Sequence, residues 1–183
     1  MALRPRLDDD LEQCVRLLAD VHREDGYPTY WPDDPVDWLS PRRMLGALVA
    51  EERGRIAGHI ALAAVASGRP AATWSEAAGV PTAGLASISR LFVAHDARGA
   101  GTGAALLEAA CIDAERRGLR AVLDVVETNR DAIRLYERHG WRRVHSEPWS
   151  EARGEQLTLH YFVSARPDEG RAPRGRPPRT RAG

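Results

Sequence analysis

Residues 85–118 constrain the fold of this chain more than any other stretch. Leu85-Ala86-Ser87-Ile88-Ser89-Arg90-Leu91-Phe92-Val93 is an apolar run long enough for one buried strand. Arg98-Gly99-Ala100-Gly101-Thr102-Gly103 follows, and then Ala104, Leu106, Leu107, Ala110, Cys111 and Ala114 recur at helical spacing. Gly118 stands where a helix C-terminal glycine is expected. Glycines at 99, 101 and 103 let a backbone turn sharply and bring bare N–H groups close to a ligand. The helix behind them adds unpaired N–H donors and the positive end of its dipole, so the unit suits a phosphate or pyrophosphate. It is not a P-loop, because no Gly-Lys-Ser/Thr follows and the chain has no lysine. A dinucleotide fingerprint is closer. Gly99, Gly101 and Ala104 fit G-x-G-x-x-G/A, and Asp124 lies about twenty residues on, where a ribose-binding acid would stand. A turn that is merely tight is the bland alternative.

The next forty residues separate these readings. Residues 119–127 (LRAVLDVVE) read as a second strand, followed by Asn129-Arg130-Asp131-Ala132-Ile133-Arg134-Leu135-Tyr136-Glu137-Arg138-His139-Gly140-Trp141. The loop at Arg98, Gly101 and Gly103 resembles the coenzyme A loop Arg/Gln-x-x-Gly-x-Gly/Ala of the GNAT acyltransferases. Asn129, Ala132, Leu135, Tyr136 and Gly140 fall in register with that family's Asn-x-x-Ala-x-x-Leu-Tyr-x-x-x-Gly-Phe, with Trp141 in place of the phenylalanine. A dinucleotide domain would need further strand–helix crossovers here. The chain offers one helix and two hairpin-like strands.

The resemblance implies an α+β fold: a mixed, mostly antiparallel sheet of six or seven strands, with helices on both faces. It implies that residues 85–93 and 119–127 splay apart in a V, and that the pantetheine arm of acetyl-CoA pairs with Leu91, Phe92 and Val93 as an added strand would. The pyrophosphate would lie over the amides of Arg98, Gly99, Ala100, Gly101, Thr102, Gly103 and Ala104, with Arg98 adding charge and Asn129 helping to hold the coenzyme. The implied reaction is direct attack of a small-molecule amine on the thioester, with Tyr136 as general acid. A phenol, with pKa near 10, is protonated at neutral pH and suits that task. The family often places a glutamate base at the position of Ser87, and serine cannot take that role. Asp124, Glu127, Glu76, Glu24 or ordered water stand as candidates. A non-catalytic acyl-CoA sensor or partner module and a protein N-terminal acetyltransferase are the alternatives.

The length, 183 residues, suits one domain, and the formal net charge of zero gives no global field toward nucleic acid. Cys14 and Cys111 sit on apolar helical patterns and read as buried small hydrophobes. No His/Cys spacing suggests a metal. No apolar run reaches the roughly eighteen residues of a membrane helix. The expectation is a soluble cytoplasmic monomer or homodimer without metal, membrane or nucleic-acid partners.

In chain order, residues 2–6 read as an edge strand. One of Asp8, Asp9 and Asp10 caps a helix carrying Leu11, Val15 and Leu18 inward and stopping near Gly26. Residues 27–39 read as a proline-broken loop. Asp20, Glu24, Asp25, Asp33, Asp34 and Asp37 stand in residues 20–38 against the single basic Arg23. With Tyr27, Tyr30, Trp31 and Trp38 they suggest a loop that covers the acceptor site and attracts a polycationic amine. Residues 44–52 and 55–66 read as a hairpin around Arg53-Gly54, with His59 a core histidine. Residues 67–84 read as loop, and 142–146 and 156–163 as closing strands around a polar loop carrying Trp149. Residues 1–165 form the expected domain. Residues 166–183, with six arginines, four prolines and no apolar periodicity, read as a disordered tail.

Overall fold

The computed structural model describes residues 1–150 and 156–165. The expectation for 166–183 therefore lies outside the described residues. The elements are β1 (Ala2–Pro5), α1 (Leu11–Asp25), α2 (Pro35–Leu39), β2 (Met44–Glu52), β3 (Arg55–Ala64), α3 (Arg69–Ala78), β4 (Leu85–Val93), α4 (Thr102–Arg116), β5 (Arg120–Val126), α5 (Arg130–Arg138), β6 (Arg142–Ser150) and β7 (Gln156–Val163). They build one seven-stranded sheet in the order β1-β2-β3-β4-β5-β7-β6. Every neighbouring pair is antiparallel except β4 and β5. This is the mixed, mostly antiparallel α+β sheet that the sequence implied.

Side-chain alternation sends successive strand residues to opposite faces. Ile60, Leu62, Ile88, Leu123 and Val125 pack with Leu106, Leu107 and Ala110 of α4 and with Tyr136 of α5. On the other face Val49, Ala57 and Phe92 meet Cys14, Leu17, Leu18 and Val21 of α1. Val65, Leu85, Val122 and Tyr161 meet Ala71, Trp74 and Ala78 of α3 on that same face. Helix α4 lies close on β3 at Gly58, where an added Cβ would stand 2.9 Å from the Leu106 Cδ1 and 3.2 Å from the Phe92 carbonyl.

Two departures from regularity in β4 create the site. Pairing with β5 covers only Leu85 with Arg120, Ala86 with Ala121 and Ser87 with Val122. Beyond Ser87 the two strands separate and leave the V-shaped gap. On the β3 side, His59 opposes Phe92 and Ala61 opposes Ser89, so Ile60 faces two residues, Arg90 and Leu91. This is a β-bulge, and Arg90 takes φ 54, rare for a non-glycine residue. The extra residue reverses the alternation. Ser87 lines the α3 side before it, while Leu91 and Val93 pack toward α4 after it.

Four local expectations are corrected. Residues 67–84 contain α3, because Pro70 occupies a first-turn position where a missing N–H costs nothing, and Ala71, Trp74 and Ala78 supply a buried stripe. Pro35 likewise opens α2, whose N-terminal N–H groups from Val36 and Asp37 donate to the Asp34 carboxylate. None of the three aspartates caps α1 by its side chain. Asp10 instead accepts from the Leu7 N–H at 2.7 Å and from Arg4 at 2.6 and 2.8 Å. Trp149 lies within β6, opposite Leu157, and not in a loop. Among the described residues no helix is long and apolar enough to cross a membrane, and no group of three or more His, Cys, Asp or Glu could hold a metal ion.

Candidate active site

The gap between β4 and β5 is a cleft of about 900 Å³. Its walls carry Leu91, Phe92, Val93, Arg98, Gly99, Gly101, Thr102, Gly103, Ala104, Asn129 and Tyr136. Of the residues expected to meet the coenzyme, Ala100 is not on the wall. Gly99 and Gly101 have φ 76 and 85, which explains two of the three loop glycines. Gly103 does not need a left-handed backbone. An added Cβ there would make ordinary contacts with Leu135 and Val93, at 3.5 and 3.6 Å.

The first backbone bond of α4 runs from the Ala105 N–H to the Gly101 carbonyl at 2.9 Å. The N–H groups of Thr102, Gly103 and Ala104 therefore lack intrahelical acceptors and face an anion site with the helix dipole behind them. The Thr102 hydroxyl is engaged elsewhere: it donates to the Ala97 carbonyl at 3.1 Å and pins the loop. Arg98 is engaged too. Its Nη1 donates to Asp25 Oδ1 at 3.0 Å, its Nη2 pairs with Asp25 Oδ2, and its Nε reaches the Val93 carbonyl at 3.2 Å. It ties the loop to α1 and to the end of β4. A pyrophosphate would compete with Asp25 for it, which the sequence pattern did not reveal. The sequence reading also missed Arg130, Arg134 and Arg138. Their spacing of four puts them on one side of α5, and all three line the cleft. The spacing was the available signal.

Tyr136 is 7 % exposed and tilts against Trp141 and Phe162, with ring centroids 5.9 and 6.0 Å away. Burial, then the nearby Tyr27 and Asp124, push its phenol well above the usual value, so it stays protonated. Tyr27, another cleft residue, is held up the same way by burial.

A second cavity, of about 350 Å³, lies on the α3 side of the sheet. It shares Ser89, Arg90, Asp124 and Leu159 with the first. The two cavities therefore meet through the V. Asp124 stands at the junction. Water reaches its carboxylate, yet protein surrounds it on most sides, and this poor hydration raises its pKa against the opposing pull of Arg90. The other candidate bases are elsewhere. Glu127 accepts from the Thr158 N–H at 2.9 Å, and Glu24 and Glu76 line neither cavity. Ser87 lines the second cavity, beside Ser89.

His59 is fully buried, as a core histidine. It lies 3.1 Å from an Arg6 Nη1 and 3.0 Å from the Arg90 carbonyl, and stacks on Phe92 at 5.2 Å. Burial lowers its pKa to about 4, so it is neutral. Its neutral ring accepts from Arg6 at Nε2 and donates from Nδ1 to the carbonyl of the bulge residue. The acid-rich segment does not cover the second cavity. Asp25 holds Arg98, Asp34 caps α2, Asp20 pairs with Arg23, and of the six acids only Asp25 lines either cavity.

The model of the acetyltransferase (GNAT) family matches residues 11–141. Solved structures with the same fold include one provisionally named a phosphinothricin N-acetyltransferase, 24% identical, with 89% of this chain and 96% of that chain covered and a TM-score of 0.66. Ribosomal-protein-alanine N-acetyltransferase from Brucella melitensis is 19% identical, with 90% and 99% covered and a TM-score of 0.69. The structure of yncA from Salmonella typhimurium with its cofactor acetyl-CoA is 20% identical, with 88% and 91% covered and a TM-score of 0.65. No curated protein matches the chain.

Proposed function

The chain belongs to the GNAT acetyltransferase family and is an acetyl-CoA-dependent N-acetyltransferase; we propose that its acceptor is the primary amine of a small metabolite, which attacks the thioester directly. One observation carries this reading: two cavities meet at Asp124, within electrostatic reach of the Tyr136 phenol.

The larger cavity fits the coenzyme. The free N–H groups of Thr102, Gly103 and Ala104 suit its pyrophosphate, and Arg130, Arg134 and Arg138 add positive charge. The open edge of Leu91–Val93 suits the amides of the pantetheine arm, and Asn129 stands at the same end. The coenzyme supplies an activated acetyl group. Asp124 takes a proton from the acceptor ammonium, and the free amine attacks. A C–N bond forms as the C–S bond breaks, Tyr136 gives its proton to the departing sulfur, and the second proton leaves the new amide nitrogen for the tyrosinate. The smaller cavity receives the acceptor. Since the acids of residues 20–38 lie outside that cavity, the proposal requires one amine and no second positive charge.

A panel of amines with acetyl-CoA, read by thiol release, tests the reaction. Asp124→Asn keeps the shape and removes the base. We expect kcat to fall roughly 10²- to 10⁴-fold, the range of general-base contributions, with acetyl-CoA affinity retained. Wild-type kcat in Asp124→Asn rejects Asp124 as the base.

A further inference from the structure

The smaller cavity holds groups that acetyl transfer itself does not use. Its wall carries one carboxylate, Asp124, and two guanidinium groups, Arg42 and Arg90. Arg42 has no ion-pair or hydrogen-bond partner among the described residues. Arg90 donates to the Trp38 carbonyl at 3.0 Å and lies 4.6 Å over the Trp38 ring, and no carboxylate of the described residues pairs with it at contact distance. Trp74 also lines the cavity and is 4 % exposed. Its ring packs on Tyr161 and closes the wall on that side. The start of α3 adds hydrogen-bond donors. Ser67 and Pro70 are on the wall, and the helix has no side-chain cap on its first-turn N–H groups.

These groups surround one space and share one requirement. Positive charge and hydrogen-bond donors lie along the wall, and the single acid sits where the V opens toward the thioester. We infer that the acceptor is an amino-acid-like anion: a small molecule with a carboxylate or similar oxyanion a few bonds from the amine that is acetylated. Arg42, Arg90 and the first turn of α3 hold the oxyanion, and the amine reaches Asp124. A polyamine would instead meet Arg42 and Arg90 as like charges. The inference rests on the acetyl-transfer reading above and narrows its acceptor.

The test compares amino acids, their methyl esters, the matching decarboxylated amines and a polyamine, with acetyl-CoA saturating. Esters have the more easily deprotonated amine, so intrinsic reactivity favours them and a preference for the acids reports recognition. The expected result is kcat/KM at least about 10-fold higher for the best acid than for its ester. Arg42→Gln should raise KM for the acids and shrink the acid-to-ester ratio, and Arg42→Lys should restore part of it. In binding alone, the best acid should raise the melting temperature of wild type in the presence of coenzyme A and fail to do so in Arg42→Gln. Esters or polyamines that match the acids, or an unchanged ratio in Arg42→Gln, overturn this inference and leave acetyl transfer standing. Failure of acetyl-CoA both to bind and to be consumed with any amine overturns both.

Discussion

In the proposed mechanism Tyr136 and Asp124 divide the proton work, and their surroundings shift both upward, which keeps the phenol a donor and makes the carboxylate a better base. Burial keeps the Tyr136 phenol protonated through the neutral range, so replacing it by phenylalanine removes a proton donor and nothing else. Tyr136→Phe should lower kcat about 10- to 1000-fold, with little change in acetyl-CoA binding. Unchanged kcat, in a reaction limited by chemistry, rejects the acid role. Asp124 acts as a base only when deprotonated, and its pKa lies above the ordinary 3.8. Activity should fall as pH drops through that raised value, and Asp124→Asn should lose this limb. His59 affects stability. Its pKa drops from 6.5 to about 4 on folding, so the unfolded chain takes up its proton first. The stability this residue contributes is complete above pH 6.5 and is lost as pH falls toward 4. Thermal melts across that range should show the loss, and His59→Gln should flatten it.

At the scale of elements, the glycine loop and the strands around it were legible because their signals are local. Leu85–Val93 forms a strand with the expected bounds, and α4 begins at Thr102, two residues before the apolar pattern. Replacing Gly101 by valine demands φ 85 from a β-branched residue. No packed atom lies within 4 Å of an added Cβ, so the cost falls on the loop backbone and on ligand approach. Acetyl-CoA affinity should drop while the circular dichroism spectrum is retained. Normal affinity in a folded Gly101→Val protein would mean that the loop does not cradle the pyrophosphate. What stayed hidden depends on distant partners. Ala- and Pro-rich residues 69–78 fold as α3 because Trp74 finds Tyr161, at 5.4 Å between ring centroids. No local spacing announces that contact. The bulge at Arg90 is set by pairing with β3, and His59 holds its carbonyl from 31 residues away. Asp124 was one of four candidates in the sequence, and its place where two cavities meet is what favours it in the proposal. The second cavity itself had no sequence signature, since its walls come from five separated segments.

At the scale of the whole molecule, the proposal gives coenzyme and acceptor separate chambers that meet through the V. Such a plan lets both substrates sit together before any bond changes. Neither cysteine offers a way to store the acetyl group. Burial pushes the Cys14 thiol up to about 11 and the Cys111 thiol up to about 12, and neither lines a cavity. Initial-rate plots should therefore intersect, and no acetylated enzyme should be trapped with acetyl-CoA alone. Parallel plots would point to a covalent route. The splay has a mechanical side as well. Three residue pairs are all that stitch β4 to β5 along their length, so the sheet is two leaves sharing a short spine. A ligand lying along the open edge of β4 and reaching across to β5 supplies the missing rungs between the leaves. The coenzyme would then serve as a removable brace, and the protein would be stiffest when it is armed to react.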